Sequence, residues 1–91
     1  MIKFTGSAAS KEAAAPRSTG AGTNLNNATH VRVYNSGGTA RLVTVTNKDE
    51  ATVLGTFTLA GKQVEYVDKN ITDEIFAANA NIKLASVIVM G

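Results

Sequence analysis

The chain has no cysteine and no tryptophan, and only one proline and one histidine, among 91 residues. Without cysteine there is neither a disulfide nor a thiolate zinc site. With a single imidazole, His30, a transition-metal centre or a base–nucleophile pair has little to build from. His30 reads as an exposed residue on the polar face of a strand. No cofactor or metal is expected. Aromatic residues are scarce as well: Phe4, Phe57, Phe76, Tyr34 and Tyr66. Nucleic-acid surfaces normally cluster basic residues or stacking aromatics, and here the basic residues are scattered. No apolar run approaches a membrane span; the longest strongly apolar one is Val87-Ile88-Val89-Met90. Met1-Ile2-Lys3-Phe4 passes straight into small polar residues, without the apolar stretch of a secretion signal. The expectation is a protein made in a cytoplasm, with no nucleic-acid partner and no membrane partner.

What is present divides at Thr29. Of the 25 residues from Thr5 to Thr29, 21 are Ala, Ser, Thr, Gly, Asn or Pro, and the only large apolar one is Leu25. Such a segment buries too little surface to offset its own ordering entropy. Residues 1–28 therefore read as a flexible N-terminal arm and residues 29–91 as the folded domain. The arm carries the net charge of +2, while the acids and bases of residues 29–91 cancel. Within the arm, Ser10-Lys11-Glu12-Ala13-Ala14-Ala15 fits a helical turn capped by Ser10 and stopped at Pro16.

From Thr29 onward apolar residues alternate with polar ones, the period of a half-buried strand. Val31 and Val33 oppose His30, Arg32 and Tyr34. Asn35-Ser36-Gly37-Gly38 is a turn signal. From Arg41 to Thr46, Val43 and Val45 share one face. From Thr52 to Leu59, Val53, Phe57 and Leu59 share a face with Gly55, which leaves a gap there and suggests a bulge or a close backbone approach. From Gln63 to Lys69, Val64 and Tyr66 lie together. Asn70 to Ala78 fits either a short helix capped by Thr72 or a turn and a brief strand. Lys83 to Met90 is apolar on both faces, so it is central or covered by a partner. The fold class expected is all-β, a small antiparallel β-sandwich or barrel of about 5–6 strands with an extended N-terminal arm.

Few motifs suggest chemistry. Asp49-Glu50 and Asp73-Glu74 are acidic pairs, but neighbours on an extended chain point apart and both pairs fall in expected turns. Asn27-Ala28-Thr29 and Asn70-Ile71-Thr72 match a glycosylation pattern with no secretion signal to accompany it. Tyr34 and Tyr66 could stack on a sugar ring, and more often such tyrosines pack with a wet hydroxyl. A catalytic role is not expected.

Five segments carry a resemblance: Val31-Arg32-Val33-Tyr34-Asn35, Val43-Thr44-Val45, Gly55-Thr56-Phe57-Thr58-Leu59-Ala60-Gly61, Val64-Glu65-Tyr66-Val67-Asp68-Lys69 and Thr72-Asp73-Glu74-Ile75-Phe76-Ala77. Over about half of the chain this pattern of strands and turns resembles small virion structural proteins of tailed phages of marine cyanobacteria. The long Ala/Gly/Ser/Thr segment after Gly6 departs from that pattern. The resemblance implies a non-enzymatic particle component, such as a capsid decoration or cement protein, assembled in the host cytoplasm and located in the virion. Its partners would be the major capsid protein or other virion proteins, and its own copies in a homo-oligomer covering the strand from Lys83 to Met90. A neck or tail component, or a carbohydrate- or receptor-binding β module, is the alternative. Ile2, Phe4, Arg17, Leu25 and Tyr34 are the residues expected to touch a partner, with Ile2 and Phe4 adding a strand to an exposed sheet edge.

Overall fold

The computed structural model describes residues 2–4, 12–14 and 22–89. These form an all-β sandwich of antiparallel strands in two sheets. The strands are β1 (Ile2–Phe4), β2 (Ala13–Ala14), β3 (His30–Asn35), β4 (Arg41–Thr46), β5 (Val53–Leu59), β6 (Val64–Asp68), β7 (Glu74–Ala77) and β8 (Ile82–Val89). One sheet has the order β1-β8-β3-β6, with β2 also pairing β8, and the other has the order β5-β4-β7.

Period-two alternation places the core. Val31, Val33, Ile82 and Leu84 from the first sheet meet Val43, Leu59, Ile75 and Ala77 from the second in one cluster. Val45, Phe57 and Val67 pack on its margin and are only half-buried. The doubly apolar β8 is central: it pairs with β3 on one side and with β1 and β2 on the other. Of the two alternatives for this run, the central strand is the one observed, and Ile88 remains 42% exposed.

Two expectations are corrected, and one alternative is resolved. Ala13–Ala14 is a short strand opposite Leu84 and Lys83, not part of a helical turn. The segment from Asn70 takes the strand alternative, since Glu74–Ala77 pairs with β4. The boundary at residues 28/29 falls too late, because Leu25 and Ala28 belong to the core. The flexibility expected of residues 5–11 and 15–21 lies outside the described residues.

Leu25 reaches the core through an uncommon backbone. Leu25, Asn26 and Asn27 have φ of 53°, 57° and 61°, one turn in the left-handed region. Asn tolerates this conformation, but for Leu it is strained. Local bonds hold it: Ala28 N–H donates to the Asn24 carbonyl at 3.1 Å, and Asn27 N–H to Asn24 Oδ1 at 3.2 Å. The Lys69 ammonium, at the end of β6, donates to the carbonyls of Asn24 at 3.0 Å and Ala28 at 2.6 Å.

Asn35 organises the opposite end. Its amide donates to the carbonyls of Thr39 at 2.8 Å and Leu59 at 3.0 Å, and its Oδ1 accepts from Gly37 N–H at 3.0 Å. The two loops there, each crossing from one sheet to the other, press together: a Cβ on Gly61 would lie 2.6 Å from the Gly38 carbonyl carbon and 2.9 Å from the Gly37 oxygen. Both neighbours are backbone, so neither yields cheaply. Gly61→Ala is expected to lower stability by about 1–3 kcal/mol, read as a fall in the urea midpoint. An unchanged midpoint would mean that these loops do not touch.

Candidate functional site

A sheet ends in strands whose outward N–H and C=O groups are open to pairing, so the functional question is which edges are left open. Hydrogen-bond parity settles which residues of each edge strand point outward.

In the β5-β4-β7 sheet, the Leu42 carbonyl accepts from Ala78 N–H at 2.9 Å. Leu42, Thr44 and Thr46 therefore face β7, and Arg41, Val43 and Val45 face β5. On β7, Ile75 and Ala77 point outward. Ile75 exchanges two backbone bonds with Thr23, at 3.1 and 2.9 Å, which covers that edge. On β5, Gly55, Phe57 and Leu59 face β4, leaving the backbone groups of Thr56 and Thr58 outward. Among the described residues nothing pairs with them.

In the other sheet, Asn35 N–H donates to the Gln63 carbonyl at 3.0 Å and Lys69 N–H to the Thr29 carbonyl at 2.8 Å. On β6, Val64, Tyr66 and Asp68 consequently point outward. This edge is partly blunted, because Glu65 Oε1 accepts from Tyr66 N–H at 3.0 Å.

β5 and β6 flank the same open side of the sandwich. Between them runs a cleft of about 470 Å³ lined by Val45, Gly55, Phe57, Leu59, Tyr66 and Val67, among others. Gly55 has nothing within 4 Å of where a Cβ would stand, so the gap expected from the sequence is open space rather than a close approach. The register shifts beside it, where Val45 pairs with Gly55 but Thr46 with Val53, so Leu54 is the extra residue of a bulge. Next to Gly55 along β5, Val53 and Leu54 are 58% and 54% exposed. This concentration of apolar surface, free backbone groups and concavity is the candidate site, and it suits the docking of an extended, apolar segment.

The outer face of β3 and β6 offers a second cluster. Arg32 pairs with Tyr66 and Tyr34 with Val64, so the tyrosines lie diagonally with Arg32 between them. The Arg32 guanidinium sits 5.5 Å from the Tyr34 ring centre and binds Glu12 at 2.8 Å. It therefore lies over one face of the Tyr34 ring.

Thr29, His30 and Asp68 form a row that sequence reasoning did not single out: Thr29 Oγ1 is 3.1 Å from His30 Nδ1, and His30 Nε2 is 3.7 Å from Asp68 Oδ1. It has the order of a nucleophile, a base and an acid. The Asp68 side chain, however, is 85% exposed and beyond hydrogen-bond reach, so it cannot hold the imidazole in a working orientation. His30 itself is half-buried rather than exposed. Among the described residues no three His, Cys, Asp or Glu side chains gather as metal ligands.

Of the residues expected to touch a partner, Leu25 and Tyr34 have described side chains, and these two lie apart. Leu25 is 9% exposed and sits in the core, so it has little surface to offer. Tyr34 is half-buried beneath Arg32. β1 adds a strand to a sheet edge as expected of such a tip, but that edge is the chain's own β8. Arg17 and the side chains of Ile2 and Phe4 lie outside the described residues. The missed feature, the β5 edge, carried a signal in the sequence: an uncharged strand with a glycine on its apolar face. Comparison with protein-family models, curated proteins and solved structures finds no match to this chain.

Proposed function

We propose that this chain is a non-enzymatic structural component of a phage particle, of the capsid decoration or cement kind. The observation that carries an assembly role is the open β5–β6 side, where an uncharged edge strand, exposed apolar residues and a cleft coincide. A monomer working alone gains nothing from such an edge and risks aggregation through it. The resemblance of the strand pattern to small phage virion proteins supports the finer reading, as does the electrically neutral folded part. The proposed action is mechanical. The sandwich sits on the shell against the major capsid protein, with its open side toward a neighbouring copy. Many copies each bind modestly, and together they strengthen the lattice by multivalency.

Mass spectrometry of purified particles tests this reading. The chain is expected in a fixed ratio to the major capsid protein after particles are washed in high salt. Its presence in infected-cell lysate but absence from purified particles would overturn the proposal.

A further inference from the structure

We propose that two copies of this chain pair through β5, antiparallel about a two-fold axis at Phe57, joining two sheets into one of order β7-β4-β5-β5-β4-β7. The pairing requires only the chain itself and is independent of any particle.

β7 is covered by Thr23. β6 has its outward Tyr66 N–H taken by Glu65, and two β6 strands paired about Tyr66 would set the two Glu65 side chains diagonal to each other on one face. β5 has no such protection: Val-Leu-Gly-Thr-Phe-Thr-Leu contains neither a charge nor a proline. The occupant that fits beside it is a neutral strand of alternating apolar and threonine residues, and β5 is itself that strand.

Parity then fixes the register. Thr56 and Thr58 hold the outward-facing backbone groups, and the regular part of the strand runs from Gly55 to Leu59, beyond the bulge at Leu54. Only an axis at the middle of that run uses all of it. Thr56 of one copy then bonds Thr58 of the other, twice by symmetry. Phe57 faces its own symmetry mate in a non-hydrogen-bonded pair, where side chains approach most closely. Each Phe57 ring also lies diagonal to the partner copy's Gly55, whose missing side chain leaves open space. The two rings meet on the cleft side, so pairing covers the half-buried Phe57 and narrows the cleft.

Sedimentation velocity of the full chain is the test. The mean mass is expected to rise from 9.4 kDa towards twice that value across the micromolar to millimolar range. Thr56→Pro removes an N–H that β4 does not use, so the fold is expected to persist by circular dichroism while the rise disappears. Should that variant misfold, Phe57→Cys supplies a second reading. In a chain without native cysteine, it is expected to oxidise to a covalent dimer, because residues facing each other in a non-hydrogen-bonded pair lie within disulfide reach. The matching Ile88→Cys variant is expected to oxidise far more slowly. A wild-type chain that stays at 9.4 kDa up to millimolar concentration overturns the proposal. So does a dimer that forms equally well with Thr56→Pro folded, or Phe57→Cys and Ile88→Cys crosslinking at the same rate.

Discussion

Lys69→Met is expected to lower folding stability by about 3 kcal/mol, the effect of leaving buried carbonyls without a donor. Lys69 is only 7% exposed. Its ammonium donates to the carbonyls of Asn24, Ala28 and Asn70 at 3.0, 2.6 and 3.3 Å. The Asn24 and Ala28 oxygens flank residues 25–27, which are wound left-handed, so the lysine both satisfies them and pins the strained turn. Methionine fills much of the same volume and donates nothing. Chemical denaturation checks the size; a loss below about 1 kcal/mol would show that water can replace the ammonium.

The same residue gives a pH signature. Burial lowers the Lys69 pKa from its ordinary 10.5, and the neighbouring Asp73 carboxylate opposes this to a lesser extent. In the window between the folded value and 10.5, the unfolded chain binds more protons than the folded one. Stability from this group therefore increases as pH rises through that window and is lost as pH falls through the folded value. The difference between wild type and Lys69→Met, measured across alkaline pH, isolates this contribution from the other titrating groups. A difference independent of pH would mean that Lys69 titrates as it does in water.

Ile75→Ala is expected to cost about 2–5 kcal/mol. The side chain is wholly buried in the middle of β7, among the largest in the core. Neighbouring backbone is held on both sides, by β4 and by the two bonds to Thr23, so the site cannot collapse around the lost atoms. Ile71→Ala supplies the contrast: it removes the same atoms from a side chain 52% exposed in a turn, and its cost is expected to stay within about 0.5 kcal/mol. Equal costs at the two positions would contradict the placement of the core.

The strands were legible because period-two alternation is a local signal. Val31, Val33, Val43 and Leu59 appear on the expected side, and the doubly apolar run at the C-terminal end is the central strand. The N-terminal packing was not legible. Leu25 sits alone among small polar residues, and what carries it into the core is a left-handed turn paired with a lysine 44 positions later. No pattern within the segment announces such a contact. Lys69 itself read as the polar end of a strand, since burial of a lysine depends on carbonyls supplied by another part of the chain. The candidate site was half legible. Gly55 and its flanking threonines were visible, but only the order β5-β4-β7 reveals that β5 is an edge. The tip residues Ile2 and Phe4 looked like a strand in search of a sheet, and their backbone finds it in β8.

The open β5 edge is the surface that another copy of the chain would occupy. Amide hydrogen exchange at Thr56 and Thr58, compared with Phe57, which faces β4, measures this directly. In dilute solution Thr56 and Thr58 are predicted to exchange quickly and Phe57 slowly, and raising the concentration is predicted to slow the two threonines while leaving Phe57 unchanged. Threonine amides already protected at the lowest concentration, or fast at every concentration, would contradict it.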